Sequence, residues 1–133
     1  MKTLTRLALA LGVSSLVSMP LVAGTPTVSE SSTFEQTSGE DLYNSICQGC
    51  HMEGGKGADS GAGYYPALAN NPKLAAPGYP IYVLTNGLGG MPSFKRYLSD
   101  EQIMEVVNYV RTNFGNDYQQ KATLEDVKMM TNR

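Results

Sequence analysis

The sequence predicts an all-α fold in which short helices wrap a prosthetic group that serves as their core, and three observations predict it. The first is the run Cys47-Gln48-Gly49-Cys50-His51. In this Cys-x-x-Cys-His pattern two thiols one helical turn apart form thioethers to the haem vinyl groups, and the adjacent imidazole ligates the iron. The second is the stretch from Met52 to Pro92, which holds nine of the fourteen glycines and five of the seven prolines, a density of breakers that forbids long elements. So long a segment with little regular structure does not close into a compact domain unless something else supplies the core. The large apolar face of a haem does so. The third is a capped, apolar-striped helix that starts at Ser99.

Rival chemistries for the motif run short of partners. A structural zinc wants four N or S donors, and Cys47, Cys50 and His51 exhaust the chain's cysteines and histidines. A redox disulfide wants a βαβ frame, and no alternating strand and helix pattern surrounds the motif. A satisfied core imidazole is the plain reading of His51, and the adjacency to Cys50 weighs against it.

The 133 residues suffice for one domain. Residues 1–23 read as a secretory signal peptide: Lys2 and Arg6 make a basic start, Leu7 to Val17 is apolar, and Pro20 precedes Leu21-Val22-Ala23-Gly24. An uncleaved anchor would need about 20 apolar residues, and Ser14, Ser15, Ser18 and Pro20 interrupt this run. Cleavage near Ala23 or Gly24 and a periplasmic location are expected. No cysteine ends the segment to carry a lipid, and the mature chain is expected to have no transmembrane segment.

Residues 24–38 contain Ser, Thr and Pro with almost no apolar side chains, so they cannot offset the entropy of ordering and read as a flexible lead-in. Residues 39–116 read as the haem-binding domain. Within it Leu42, Tyr43 and Ile46 fall at helical spacing, with Thr37 or Ser38 as N-cap and Glu40 and Asp41 where the helix dipole favours acids. That short helix delivers the two cysteines, and packing and haem must hold it. Further on, one helical turn is expected over Ala67 to Asn70. A helix is expected over Pro80 to Asn86, with Pro80 first, Gly87 as the stop, and Tyr79, Tyr82 and Val83 as its apolar face.

The long helix has Ser99 as N-cap, Gln102 completing a capping box, and Leu98 stapled to Ile103. Ile103, Val106, Val107, Val110 and Phe114 form its stripe with Tyr109 beside it, Arg111 lies in its last turns, and Gly115 ends it. In the tail, residues 117–133, Thr123 and Asp126 start a short helix carrying Leu124, Val127 and Met130. That tail either clasps the body or frays.

Loss of Lys2 and Arg6 takes the formal charge from −2 to −4. Gly24 to Glu53 carries five acids and no base, whereas Gly54 to Leu98 sets Lys56, Lys73, Lys95 and Arg96 against Asp59, a net +3. The asymmetry orients an approaching partner or is a solvated scatter. No nucleic-acid partner is expected of so acidic a chain.

A haem bound by His51 alone keeps an axial position open, and what fills it separates an electron carrier from a catalyst. Among the soft donors, Met52 adjoins His51 and cannot reach across the porphyrin. Met104 lies in the closing helix, and Met129 and Met130 lie in the tail. Met91 sits in Gly87-Leu88-Gly89-Gly90-Met91-Pro92-Ser93-Phe94, where glycines permit close approach and Pro92 stiffens the loop. Met91 is the expected second axial ligand, since Met with His is an established pair that raises the reduction potential. Its alternative is apolar filler.

Cys47 to His51, Gly90-Met91-Pro92-Ser93-Phe94, the Leu98-Ser99-Asp100-Glu101-Gln102 helix start and Asn108-Tyr109-Val110-Arg111 together resemble mono-haem class I c-type cytochromes over roughly residues 39–115. The resemblance implies a cytochrome c-like fold with one covalently attached haem c, whose first and last helices cross, setting Gly39 and Tyr43 against Val106 and Tyr109. It also implies that a proline carbonyl after the motif receives the ring proton of His51. Pro66 fits that part and Pro72 competes for it. Pro66-Ala67-Leu68-Ala69-Asn70-Asn71-Pro72 and the tail from Thr123 to Val127 are similar to small cytochromes that accompany periplasmic alcohol or sugar-type dehydrogenases. The chain departs from the multihaem members in its single haem motif, and no membrane-anchoring C-terminus is expected.

The expected function is that of a periplasmic electron carrier, not an enzyme, passing single electrons from a dehydrogenase or respiratory complex to an oxidase or another cytochrome. The alternatives are a subunit held permanently in a dehydrogenase complex and a haem enzyme with a displaceable distal ligand.

Overall fold

A computed structural model describes residues 34–60 and 63–133. The expected signal segment, 1–23, and residues 24–33 of the lead-in lie outside the described residues. Five α-helical segments dominate: α1 (Gly39–Leu42), α2 (Gln48–His51), α3 (Gly78–Asn86), α4 (Asp100–Thr112) and α5 (Leu124–Thr131). Among the described residues β structure is limited to two isolated bridges, Ala58 with Tyr65 and Leu88 with Met91.

Ser38 starts the first helix by accepting the Asp41 N–H at 3.1 Å. From there the chain is helical without a break to His51, but its middle, Tyr43–Cys47, is a π turn that joins α1 to α2. The Ser45 hydroxyl donates to the Asp41 carbonyl at 2.6 Å. Such back-bonding competes with the α ladder, which accounts for a wider turn where one regular helix was expected.

α1 crosses α4 at close range. A Cβ on Gly39 would fall within 2.6 Å of Tyr109 Cβ and would overlap the Glu105 carbonyl oxygen, so the absence of a side chain sets the helix separation. Tyr43 is 1% exposed and stacks against Tyr109 and Phe114, with ring centroids at 5.8 and 4.7 Å.

α3 begins two residues before its expected start, and Pro80 occupies the third helical position, where no intrahelical acceptor is needed. Its apolar face is also not the expected one. Pro80, Ile81, Leu84 and Thr85 are buried, whereas Tyr79 and Tyr82 are 38% and 52% exposed. Ile81 and Leu84 share a face at a spacing of three, and docking them turns Tyr79 and Tyr82, each offset by two, outward. The helical turn expected over Ala67 to Asn70 is also absent. Asn70 takes a left-handed φ of 48°, and the helical turn falls instead at the 3-10 segment Pro72–Leu74, capped by Asn71.

α4 starts with the expected capping box: Ser99 Oγ accepts the Gln102 N–H at 3.1 Å and Gln102 Oε1 accepts the Ser99 N–H at 2.8 Å. Ile103, Val106, Val107 and Val110 are buried. The helix stops at Thr112, before Phe114, which reaches the core from a left-handed residue with φ 59°. Arg111 is fully buried. Its guanidinium donates to the Leu74 and Ala75 carbonyls, both at 2.8 Å, and to that of Gln120, so from the last turns of α4 it staples three segments.

The tail clasps the body. Thr123 and Asp126 form a capping box for α5, Val127 is fully buried, and Asn108 exchanges two hydrogen bonds with the Ala122 backbone at 3.0 and 2.8 Å. Met130, for which core and surface were both open, is 38% exposed.

Candidate haem-attachment site

Cys47 closes the π turn as the N-cap of α2, and Cys50 and His51 follow on α2 about one turn later. Both thiols are free, Cys47 half-buried and Cys50 exposed. His51 is 7% exposed, and its Nδ1 lies 2.9 Å from the Pro66 carbonyl oxygen. A carbonyl only accepts, so Nδ1 carries the proton and donates it. The lone pair is thereby on Nε2, the tautomer a metal-ligating imidazole needs. The competing Pro72 carbonyl is occupied elsewhere, accepting the Ala75 N–H at 3.1 Å inside the 3-10 turn.

Pro66 reaches His51 because residues 52–60 and 63–69 fold back on the motif. The Gly57 N–H donates to the His51 carbonyl at 2.8 Å, Ala58 and Tyr65 exchange bonds at 2.8 and 2.7 Å, and Leu68 and Ala69 both donate to the Gly55 carbonyl. Asn116, 6% exposed, then ties this loop to the end of α4: it accepts from the Asn71 N–H at 2.9 Å and donates to the Leu68 and Val110 carbonyls at 2.8 Å. Sequence reasoning missed Asn116. Its only signal was a small amide after the Gly115 stop, and its partners lie up to 48 residues away.

Met91 sits on a second loop. Leu88 and Met91 exchange two backbone hydrogen bonds of 3.0 Å across Gly89-Gly90, a tight turn that uses the left-handed φ of 59° at Gly89. The loop is fastened to α3, through Ser93 Oγ to the Thr85 carbonyl at 2.6 Å and the Phe94 N–H to the Leu84 carbonyl at 2.7 Å. The Met91 side chain is half-buried and packs against the core, as does that of Met104. Met129 is 68% exposed on α5.

Burial, aided by the neighbouring Cys50, pushes the Cys47 thiol up to about 11. Redox and nucleophilic cysteines need the opposite shift, so a disulfide oxidoreductase gains nothing from this arrangement. Among the described residues no group of three or more His, Cys, Asp or Glu side chains is placed to hold a metal ion. The donors fit a haem: two free thiols a turn apart, an imidazole with its Nε2 lone pair unspent, and a half-buried thioether on a loop of another part of the chain.

Comparison with known proteins points to a family. Residues 34–110 match the family described as "Cytochrome C oxidase, cbb3-type, subunit III". The chain is 40% identical to cytochrome c6 of Leptolyngbya boryana, over 57% of this chain and 89% of that protein. It is 32% identical to the fructose dehydrogenase cytochrome subunit of Gluconobacter japonicus, over 66% of this chain and 21% of that one. It is 28% identical to the cytochrome c subunit of the alcohol dehydrogenase (quinone) of Gluconobacter oxydans (strain 621H), over 69% of this chain and 21% of that one. The chain thus spans about a fifth of the length of these dehydrogenase subunits.

Proposed function

The chain belongs to the c-type cytochromes, in the family described as cytochrome c oxidase, cbb3-type, subunit III, and on that premise we propose that it is a periplasmic mono-haem electron carrier. Haem c, when bound, supplies a one-electron iron couple. The thiols of Cys47 and Cys50 would attach it, and Nε2 of His51 and the Met91 sulfur would ligate the iron. The observation that carries this reading is the 2.9 Å contact between His51 Nδ1 and the Pro66 carbonyl. It holds the imidazole in the ligating tautomer and orientation before any metal is considered. A Met91 loop fastened to α3 supports a fixed second ligand, which keeps substrates from the iron and raises the potential.

The partners we propose are a periplasmic dehydrogenase or respiratory complex as donor and an oxidase or another cytochrome as acceptor. The second reading, a subunit resident in a dehydrogenase complex, draws on the dehydrogenase cytochrome subunits among the relatives. Gel filtration of cell extract separates the two readings, by elution alone or with a dehydrogenase. Mass spectrometry of the exported protein tests attachment. Optical spectroscopy tests the ligand: a Met-ligated ferric haem has a weak long-wavelength sulfur-to-iron band, and Met91→Ala is expected to abolish it with the haem still attached. A band that survives the substitution removes Met91 from the iron.

A further inference from the structure

Directly after His51 the backbone turns left-handed repeatedly: φ is 63° at Met52, 67° at Gly54, 66° at Gly55 and 67° at Gly57. Two of these glycines also have no room for a side chain. A Cβ on Gly55 would lie 2.8 Å from Phe114 Cδ2, and one on Gly57 would lie 2.7 Å from the Pro66 carbonyl carbon. Glycine adopts such angles without strain. Met52 does not, since its φ of 63° with ψ 164° falls in a region that essentially only glycine populates.

A strained residue persists where its surroundings over-determine it. The Met52 N–H donates to the Gln48 carbonyl at 2.9 Å, and its own carbonyl accepts the Gly55 N–H at 3.1 Å. The same carbonyl accepts the Tyr43 hydroxyl at 2.6 Å. Tyr43 is buried and wedged between Tyr109 and Phe114, so that hydroxyl arrives on a side chain with no freedom to swing away.

We infer that Tyr43 is a positioning residue for His51: its hydroxyl holds the Met52 carbonyl in the left-handed turn, and that turn sets the direction in which the imidazole leaves the backbone. The inference rests on the reading of His51 as an iron ligand. Both other holds on His51, from the Gly57 N–H to its carbonyl and from its ring to Pro66, require the chain to return along this same turn. Without the phenol, Met52 relaxes toward an ordinary φ and carries the His51 peptide with it. A Tyr43 that merely filled space would be replaced by phenylalanine with no change at the iron.

The test is a double-mutant cycle on the haem-loaded exported protein, using Tyr43→Phe, Met52→Gly and the pair. It reads the midpoint reduction potential and the ferric electron-paramagnetic g values, which report the orientation of the imidazole plane. Tyr43→Phe is expected to shift both, and in the Met52→Gly background that shift is expected to fall by half or more, because glycine holds the turn unaided. Unchanged potential and g values in Tyr43→Phe, or shifts of equal size in the two backgrounds, overturn the inference. If Tyr43→Phe fails to accumulate, Met52→Gly decides alone. Strain relief should raise the folding equilibrium constant roughly fivefold despite the added chain entropy, and a less stable variant overturns the strained turn. Absence of haem from the unmodified protein removes the underlying reading, whereas equal shifts with haem and sulfur band intact remove only the role of Tyr43.

Discussion

At the scale of single residues, burial does the chemical work around the motif. Burial raises the Tyr43 phenol from its ordinary 10 to about 12, against the lowering pull of the Gly55 N–H. A group whose folded pKa exceeds its unfolded one stabilises fully below the unfolded value and loses that contribution as pH rises toward the folded value. Stability is therefore expected to fall between pH 10 and about 12, and less steeply in Tyr43→Phe. Denaturant titrations of both proteins across that window check it, and parallel curves would show that the phenol ionises equally in both states. Arg111 is the converse case. Burial lowers its affinity for the proton, yet three carbonyls solvate the charge, so it joins α4, the 72–75 turn and the tail without a carboxylate.

Elements were legible in the sequence where neighbours decide them. The caps at Ser99 and Thr123 depend on residues three positions apart, and α4 and α5 start where that chemistry placed them, while of the two candidates Thr37 and Ser38 the cap of α1 is Ser38. The buried face of α3 was not legible in this way. Tyr79, Tyr82 and Val83 are as apolar in sequence as Ile81 and Leu84, and only docking against α4 and α5 selects the second set. The α1–α4 crossing gives a sharp prediction. Alanine is the better helix former by up to about 1 kcal/mol, but a Cβ at Gly39 collides with Tyr109 and with the Glu105 backbone, and overpacking costs about 1–3 kcal/mol. Gly39→Ala is expected to lower the urea midpoint of the haem-loaded protein, with a net loss of about 1–2 kcal/mol. A stabilised variant would mean that the helices pass farther apart.

Across the whole molecule, charge is the feature a partner meets first. The single ion pair among the described residues joins Arg133 to Asp100 at 2.6 Å, so Lys95 and the exposed Arg96 beside the Met91 loop keep their charge available. Electron transfer to an acidic partner should slow as ionic strength rises, because screening shortens the reach of these charges. Stopped-flow rates over a salt series measure this, and a flat profile would assign docking to other residues.

By itself the sequence determined the helical class, the capped starts of α4 and α5 and the cofactor chemistry that the family carries, because each of these is written in residues that are neighbours along the chain. Tertiary structure alone decided which face of α3 is inside, that Arg111 is a staple, that Asn116 ties the loop, and that Met52 bears a left-handed turn under the Tyr43 hydroxyl. Each of those depends on partners brought together only when the chain closes, and packing against them outweighs local preference.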